Sequence, residues 1–126
     1  MRIKPALAKP FFDHKTQRKW AQISPDELPG DPFQYWAQEG VCGVFHPMPW
    51  PGIWMAHYGV LPDAWGHTKG PARAILKDFW DAEQPDLIIG WTEENNRAAL
   101  AFSKRIGFTI TGRMASGVIM QEWQSC

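Results

Sequence analysis

Two glycines in the middle of the chain border a short loop with the composition of an anion site. Gly66 and Gly70 let the backbone turn tightly and approach a ligand closely. A helix is predicted to begin at Gly70–Pro71, and the first amides of a helix have no partner within it, so they attract an anion. His67 and Lys69 add positive charge, and the arrangement predicts a pyrophosphate site. A plain strand-to-helix connection can have the same composition, so the loop alone leaves both interpretations open.

His57 is the side chain on a predicted strand that is best suited to move a proton. An imidazole has a reference pKa of about 6.5, so it gains and loses a proton near neutrality. A lone histidine on an apolar strand is more often a hydrogen-bonded structural residue, so catalysis and structure stay alternatives. His46, in the turn-rich segment before that strand, could border a substrate site. Glu93 and Glu94 precede a predicted helix, where negative charge is favourable without any catalytic role.

The second half of the chain must supply the elements that position these residues. Apolar runs of strand length and segments with helical spacing alternate there. The predicted order is a strand at 53–61, a helix opening at Pro71, a strand at 86–92, a helix from Asn96 to Gly107, and strands at 108–114 and 118–123. Strands and helices in this order indicate a mixed sheet with helices packed on it.

The first half of the chain is predicted to begin with helices. One helix covers 11–23, and another begins at Asp31-Pro32 and ends at Gly40, a residue type common at helix C-termini. Apolar runs at 41–45 and 53–61 then form a hairpin with a long loop. No linker or repeat interrupts the chain, so residues 1–126 are expected to be a single domain.

The most specific pattern in the sequence covers residues 96–108. An asparagine opens a helix, an alanine follows at the third place, and a basic pair precedes an aliphatic residue and Gly-Phe. This segment resembles the acetyltransferase signature of the GNAT superfamily of N-acetyltransferases. The residues in register with that signature are Asn96, Ala99, Phe102, Ile106, Gly107 and Phe108. The loop at 66–70 lies where the superfamily has its pyrophosphate loop, and the two motifs together cover about residues 53–123.

The resemblance implies a GNAT-like α/β (α+β) fold, with a mixed, mostly antiparallel central sheet and helices on both faces. It implies an acyltransferase that moves acetyl from acetyl-coenzyme A to a primary amine by direct attack. The acceptor would be a small-molecule or protein amine, such as a protein N-terminus, a lysine or a small amine. The residues implied in cofactor binding are Gly59, Val60 and Leu61 for pantetheine, Trp65, Gly66, His67, Thr68, Lys69 and Gly70 for pyrophosphate, and Asn96 and Phe102 for the cleft wall.

The catalytic residues are also implied by the resemblance. Ser103 stands where many relatives carry a tyrosine as general acid. His57 would lie on the strand beside the acetyl group, where a base or a water chain must take the amine proton. His57 and Ser103 are therefore the candidate catalytic pair.

The sequence departs from the superfamily pattern at several positions. Trp65 replaces the usual first Gln or Arg of the loop, Thr68 its middle glycine, and Trp54 a glutamate often found on the preceding strand. The span 41–61 holds two predicted strands where three are usual, so the front of the sheet is expected to be abbreviated. These departures support an alternative, a catalytically silent GNAT-fold interaction or assembly protein, similar to small proteins of tailed bacteriophages. An open cleft favours the enzyme, whereas a cleft filled by Trp54, Trp65 or Trp91 favours the alternative.

Composition excludes several other classes of protein. With 44% apolar and 21% charged residues, the chain is composed like an ordinary globular domain. Its net charge is zero, so a nucleic-acid partner is not expected. Cys42 and Cys126 have no disulfide-framework or metal-ligand spacing, which predicts a reducing, cytoplasmic compartment and no metal site. No apolar run reaches the ~20 residues of a membrane helix, and no signal-peptide pattern follows Met1.

The remaining features bear on packing and partners. Eight tryptophans are scattered through the elements, which favours a role as core-filling side chains. Acidic residues accompany aromatic ones in the N-terminal region, which favours a cationic amine as acceptor. The C-terminal strand pair could complete a sheet across a homodimer.

Overall fold

The computed structural model describes residues 1–125, and Cys126 lies outside them. In chain order the elements are β1 (Arg2–Ile3), α1 (Pro5–Phe12), α2 (Lys15–Trp20), β2 (Gln34–Gln38), β3 (Val41–Pro47), β4 (Ile53–Val60), α3 (Lys69–Glu83), β5 (Leu87–Glu93), α4 (Arg97–Arg105), β6 (Thr109–Met114) and β7 (Val118–Trp123). None of the helices in residues 1–125 has the length and apolar character needed to cross a membrane.

Within residues 1–125, seven strands form one sheet in the order β1-β2-β3-β4-β5-β7-β6. Neighbouring strands are antiparallel except for β4 and β5. This parallel pair lies inside the sheet and requires a crossover, which α3 provides between the end of β4 and the start of β5. The predicted mixed, mostly antiparallel sheet is confirmed.

Helices cover both faces of this sheet, and each face has its own core. On one face α3 buries Phe79, whose ring stacks on Phe45 with centroids 4.0 Å apart. On the other face α1 buries Phe12 in a cluster that contains Val44. Val44 and Phe45 are consecutive residues of β3, and successive side chains of a strand point to opposite faces. One strand therefore supplies both cores.

The segment after Asp31-Pro32 forms a strand, where the sequence predicted a helix. Gln34–Gln38 pairs with β3, and Tyr35 is only 1% exposed. Glu39 and Gly40 have φ values of 47° and 82°, as in the two-residue turns that join hairpin strands. Gly40 therefore closes a hairpin instead of ending a helix, and the front of the sheet has two strands, β1 and β2, beyond those counted from the sequence.

The helix predicted over 11–23 is replaced by two shorter helices, α1 and α2. The break comes at His14, whose Nδ1 atom accepts a hydrogen bond from the amide of Thr16 at 3.2 Å and caps the start of α2. Arg18 of α2 then binds the carboxylate of Asp26 at 3.0 Å. This ion pair ties α2 to the segment that follows it.

The second half of the chain follows the predicted order of elements. Asn96 precedes α4, and β6 and β7 form the predicted hairpin. Helix α3 begins at Lys69, two residues before the predicted Pro71, because Thr68 is its N-cap.

The eight tryptophans lie in three kinds of place, and two of them, Trp20 and Trp91, line the cavity described below. Four of them pack against the core beside α3, namely Trp36, Trp54, Trp80 and Trp123. Trp50 and Trp65 are 58% and 49% exposed. The predicted core role therefore applies to only part of the set.

Candidate functional site

The strands β4 and β5 lie side by side at their starts and separate toward their ends. Residues 53–55 pair with 87–89, and the ladder between the two strands stops there. Beyond that point β4 stays paired with β3 up to Val60, while β5 stays paired with β7. Because each strand follows its other neighbour, a V-shaped gap opens between 56–60 and 90–93.

A cavity of about 540 Å³ occupies this gap. Its wall is built by β4, β5, α4, the loop before α3, and the segment around α2. Trp54 lies at the closed end, where its ring packs on Phe79 with centroids 5.1 Å apart, and it does not line the cavity. Trp65 and Trp91 belong to the wall. The gap is therefore open and is not filled by tryptophan.

One backbone edge of β4 faces the gap. The amide of Leu61 donates to the carbonyl of Gly40 at 2.9 Å, and the amide of Met48 donates to the carbonyl of Ile53 at 2.9 Å. Backbone groups alternate in direction along an antiparallel ladder, so the odd-numbered residues of β4 bond to β3. The even-numbered residues beyond the paired segment turn their N–H and C=O groups toward the gap, and these are Ala56, Tyr58 and Val60.

This alternation determines which of the strand residues predicted to bind pantetheine have free backbone groups. Val60 has its backbone groups on the gap side, as that role requires. Gly59 has them on the β3 side. Both backbone groups of Leu61 are occupied, since its amide bonds to Gly40 and its carbonyl accepts from Ala64. Leu61 therefore does not have the free amide that the prediction needs.

The loop before α3 carries a group of free backbone amides. The amides of Trp65 and His67 are used within the loop, where they donate to Pro62 and Ala64 at 3.2 and 2.9 Å. The amides that find no acceptor within residues 1–125 are those of Gly66, Thr68, Lys69 and Gly70. Four neighbouring N–H groups at the start of a helix make a concentrated anion-binding surface.

The space beside these amides is also free. A Cβ atom placed on Gly66 or Gly70 would meet no heavy atom within 4 Å. Gly66 has a φ of 88°, which favours glycine, but nothing in the packing of the protein explains Gly70. Thr68 is 9% exposed and lines the cavity, so the residue that replaces the usual glycine does not block the loop. The loop fits a pyrophosphate lying directly against its backbone.

His57 lies in the cavity wall, on the face of the sheet that α1 covers. Its Nε2 atom is 2.9 Å from Nε2 of His46, and the two rings stack with centroids 5.1 Å apart. Burial, reinforced by the charge of His46, lowers the pKa of His57 to about 4. Burial also lowers the pKa of His46. Both imidazoles are therefore neutral at pH 7, the state in which His57 can accept a proton.

Helix α4 forms the opposite wall. Ser103 and Phe102 line the cavity, and the Ser103 hydroxyl donates to the carbonyl of Ala99 at 2.9 Å. Asn96 also lines it, and its side-chain oxygen accepts from the amide of Ala99 at 3.3 Å, so its oxygen caps α4. The cavity thus brings together predicted residues that are 46 positions apart in the chain, His57 and Ser103, on opposite walls.

Two polar side chains of the cavity were not predicted from the sequence. Gln121 is 2% exposed, and its Oε1 atom accepts from the hydroxyl of Thr92 at 2.9 Å. Tyr58 donates to the carbonyl of Ala72 at 3.3 Å, and burial raises its pKa well above the usual value, so its hydroxyl stays protonated. The alternation of side chains along a strand could have predicted which face of the sheet each residue lies on. The sequence contains no signal that a gap lies beside them.

The segment after α2 covers the gap on the α1 side. Gln22 donates from its Nε2 atom to the carbonyl of Trp91 at 2.6 Å, so a residue of this segment reaches β5 across the cavity. Gln17 and Trp20 line the same part of the wall. These residues were predicted to be helical, and their position over the gap has no signal in the sequence.

Comparison with solved structures shows which known proteins share this architecture. A domain from Methanocaldococcus jannaschii DSM 2661 is similar with a TM-score of 0.72 at 11% identity, covering 98% of this chain and 96% of that one. Aminoglycoside acetyltransferase AAC(6')-Ib, solved in complex with coenzyme A, gives a TM-score of 0.72 at 11% identity, covering 98% and 92%. A GNAT-family acetyltransferase from Streptococcus pneumoniae gives 0.65 at 12% identity, covering 98% and 96%. The chain has the GNAT fold.

The GNAT fold confirms the resemblance drawn from residues 96–108 and the predicted fold class. It is recognisable from the structure and not from overall sequence similarity, because no family model and no curated protein matches the sequence significantly. A TM-score of 0.70 at 10% identity, as found for one further structure, shows that the backbone arrangement tolerates replacement of most side chains.

Proposed function

We propose that this chain is an N-acetyltransferase that moves the acetyl group of acetyl-coenzyme A to a primary amine. The observation that carries the proposal is the open gap between β4 and β5, with free amides of the α3 loop at its mouth. A free strand edge binds an extended amide chain, and a helix N-terminus binds phosphate. A similar structure solved with coenzyme A, that of AAC(6')-Ib, supports the same cofactor.

The residues assigned to the cofactor follow from the groups that are free. The amides of 66 and 68–70 hold the pyrophosphate, Lys69 adds positive charge, and Trp65 flanks the phosphates. His67 does not line the cavity and instead borders a second pocket with Gly40 and Leu61. The free edge of β4 takes the pantetheine arm, with Val60 retained from the sequence prediction and Ala56 and Tyr58 in place of Gly59 and Leu61. Asn96 and Phe102 form the wall beside it.

The proposed chemistry uses the two opposite walls of the cavity. Acetyl-coenzyme A supplies a thioester, whose acetyl carbon the amine nitrogen attacks. His57 is neutral at pH 7 and takes the proton that the amine must lose. The Ser103 hydroxyl, which donates to the Ala99 carbonyl in the structure, rotates to donate its proton to the departing sulfur and regains a proton from water in the open cavity. An attack from the α1 side and departure on the α4 side keep the base and the acid apart.

The acceptor enters between the segment after α2 and the end of β5. Trp20 and Trp91 contribute aromatic faces to this part of the wall, and the exposed Glu93 lies at its rim. Aromatic faces and a carboxylate attract a cation, which suits a protonated amine. The acceptor is a small-molecule or protein amine, and the similarity to an aminoglycoside acetyltransferase supports a small molecule.

A catalytically silent interaction or assembly protein is the second candidate function, and its resemblance to small proteins of tailed bacteriophages stays a prediction from the sequence. The observation that favours it is Trp65, which is 49% exposed at the mouth of the cavity, where a protein partner would cover it. A homodimer through the edge strand β6 remains a prediction in either case. Sedimentation that finds only monomer contradicts it.

Calorimetric titration of acetyl-coenzyme A into the protein tests the proposed function. The variant Gly70→Trp places a large ring over the free amides, where there is room for it. Gly30→Trp is the matched control, because a Cβ atom at Gly30 also meets nothing within 4 Å and Gly30 lies outside the α3 loop. Micromolar binding by the wild type and Gly30→Trp, lost in Gly70→Trp, supports the enzyme.

Two results contradict the proposal. If the protein does not bind acetyl-coenzyme A at millimolar concentration, the proposed cofactor is wrong and the interaction protein is favoured. Binding that Gly70→Trp does not weaken shows that the α3 loop is not the pyrophosphate site. If binding is found, a screen of primary amines with acetyl transfer as the readout identifies the acceptor class.

A further inference from the structure

A buried glutamine at the closed end of the gap carries an inference that rests on the proposed function. Gln121 of β7 is 2% exposed and lines the cavity, and it is neither the base nor the acid of the reaction. We propose that Gln121 donates a hydrogen bond from its Nε2 atom to the thioester carbonyl of acetyl-coenzyme A. This bond polarises the carbonyl and stabilises the oxyanion that forms when the amine attacks.

The side-chain amide of Gln121 has one bonded end and one unbonded end. Its Oε1 atom accepts from the hydroxyl of Thr92 at 2.9 Å, whereas its Nε2 atom makes no hydrogen bond within residues 1–125. In the same residues no fully buried side-chain nitrogen or oxygen lacks a partner, so Nε2 keeps some accessible surface, and the space beside it is the cavity. An oriented donor in a buried side chain is costly unless a ligand accepts its hydrogen bond.

The strand beside Gln121 leaves room for a ligand. Gln121 pairs with Gly90 of β5, which also lines the cavity. A Cβ atom on Gly90 would lie 3.5 Å from the ring of Phe108 and 3.9 Å from Oε1 of Gln121, which are ordinary contact distances. The φ of Gly90 is not positive. Neither packing nor backbone conformation therefore requires a glycine here, and its missing side chain leaves space next to the amide of Gln121.

The register of the strands puts this space at the closed end of the gap. The ladder between β4 and β5 ends at the pair of Met55 and Ile89, and Gly90 is the next residue of β5. The α3 loop lies at the opposite end, after Val60, where β4 ends. A cofactor whose pyrophosphate binds the α3 loop therefore extends along β4 with its acetyl group directed toward Gly90 and Gln121.

Gln121 also lies on a suitable face of the sheet. It is two residues from Trp123, so the two side chains share a face, and Trp123 packs against the same core as Phe102 of α4. Ser103, the proposed acid, lies on α4 as well. His57, the proposed base, lies on the face that α1 covers. The amine and its base therefore approach from one side, and Gln121 does not compete with them for space.

In the reaction, the amine nitrogen forms a bond to the acetyl carbon, His57 takes the amine proton, and the π electrons of the carbonyl move onto its oxygen. The hydrogen bond from Gln121 strengthens as negative charge develops on this oxygen, and Gln121 keeps its proton throughout. When the carbonyl forms again, the bond from carbon to sulfur breaks, and the thiolate takes the proton of Ser103. Thr92 holds the Oε1 atom of Gln121, so the amide is already oriented before the attack.

The variant Gln121→Met removes the donor and keeps an unbranched side chain of similar size. We expect kcat to fall about a hundredfold, the effect of losing one oxyanion donor, while the affinity for free coenzyme A, which has no acetyl carbonyl, stays unchanged. Gln34→Met is the matched control and should retain kcat, because Gln34 is a buried glutamine of β2 that donates to Glu83 at 3.1 Å, and β3 separates it from β4. Unchanged kcat in Gln121→Met, or an affinity for free coenzyme A that falls as much as kcat, overturns the proposal.

Infrared spectra of bound acetyl-coenzyme A, labelled with a heavy carbon isotope in the acetyl carbonyl, test the hydrogen bond without an acceptor amine. We expect the carbonyl band of the wild-type complex at a lower wavenumber than that of free acetyl-coenzyme A, and we expect Gln121→Met to lose this shift. Thr92→Val leaves Gln121 in place but releases its Oε1 atom, so it should give a smaller shift than the wild type. An unshifted band in the wild type overturns the proposal, and an amide turned to present Oε1 to the carbonyl would give that result.

Calorimetry with acetyl-coenzyme A separates this inference from the proposed function. If acetyl-coenzyme A does not bind, the proposed function and this inference fail together. If it binds with a carbonyl band that depends on Gln121 but no amine is acetylated, acetyl transfer fails and the contact with Gln121 stands. If amines are acetylated equally well by the wild type and Gln121→Met, only this inference is wrong.

Discussion

The two ends of the β4–β5 pair belong to the same strands, but one end is packed in the core and the other borders a cavity. At the closed end, residues 53–55 and 87–89 are bonded to one another, and Trp54 packs on Phe79 in the core. At the open end, the strands bond to different neighbours, and the space between them is a cavity of about 540 Å³. Side chains of similar size, Trp54 and Tyr58, lie on the same face of β4, yet one fills a core and the other borders a site.

The difference shows that the site arises where the ladder between β4 and β5 stops, and not from an unusual amino-acid composition of the strands. Backbone groups that leave a ladder need other partners, and a cofactor with amide groups can supply them. The closed end should therefore govern stability, and the open end should govern binding. Four predictions test this division, from the largest expected effect to the smallest.

The largest effect is expected at the closed end, from Phe79→Ala. Phe79 is fully buried between Phe45 and Trp54, so its removal should lower the free energy of unfolding by about 3–5 kcal/mol. Phe102→Ala at the open end should cost less than half of that, but it should weaken acetyl-coenzyme A binding. Urea denaturation measures the first effect and calorimetry the second, with Phe79→Leu as a milder variant. Equal losses of stability at Phe79 and Phe102 would contradict the division.

The second effect is a pH dependence that belongs to the open end. Burial holds the pKa of His57 at about 4, below its ordinary value of 6.5, so the unfolded chain binds more protons between these two values. Stability should be complete above pH 6.5 and should fall as the pH drops toward 4, by about 3 kcal/mol at most for this residue. His57→Gln has no such titration and should show a flatter profile. A wild-type profile as flat as that of His57→Gln would show that His57 is not buried as described.

The third effect comes from Gly59→Ala, between α1 and the open end of β4. A Cβ atom there would lie 2.7 Å from the carbonyl oxygen of Phe11 and 2.7 Å from the ring of Phe12, so α1 must move. Overpacking of this kind should cost about 1–3 kcal/mol. Gly70→Ala is the control in open space, and it should change stability by less than about 0.5 kcal/mol. Similar urea midpoints for the two variants would mean that α1 is not packed tightly on β4.

The smallest effect is expected from Gln22→Ala, which removes the hydrogen bond from Gln22 to the Trp91 carbonyl. The bond is exposed, so its loss should cost about 1 kcal/mol or less. It should instead loosen the cover over the gap and raise the KM for the acceptor while leaving acetyl-coenzyme A binding unchanged. Gln17 lines the same wall but does not make this bond, so Gln17→Ala serves as the control. An equal rise in KM in both variants would assign the effect to wall contacts and not to the bond.

The parts of the fold that the sequence predicted well are those with local signals. Asn96 caps α4, and Gly107 follows it with a φ of 108°, as their residue types indicate. The strand β5 was recognisable as a short apolar run, and the final hairpin by its apolar alternation. The helix predicted from Asp31 to Gly40 was wrong, because proline and glycine are common at the ends of both helices and hairpin strands. Pairing of Tyr35 with Val44 on β3, nine positions further along the chain, decided for the strand.

The candidate site shows the same limit. The α3 loop was found from its glycines, and Ser103, Asn96 and Phe102 were found from the signature, because each lies within one strand–loop–helix unit. The sequence could not show that the amide of Leu61 is occupied, because the direction of a backbone amide depends on its position in the ladder, which the bond to Gly40 fixes. The partnership of His46 with His57 depends on the register of β3 against β4.

By itself the sequence determined the order of the later elements, the caps of α4, the glycine loop and the GNAT resemblance, since all of these follow from residues close together in the chain. Only the tertiary structure decided that β4 and β5 separate, which of their backbone groups stay free, and that two neutral histidines share a proton beside the gap. These features depend on which strand each strand pairs with and in what register. Pairing joins residues far apart in sequence, so no local pattern contains it.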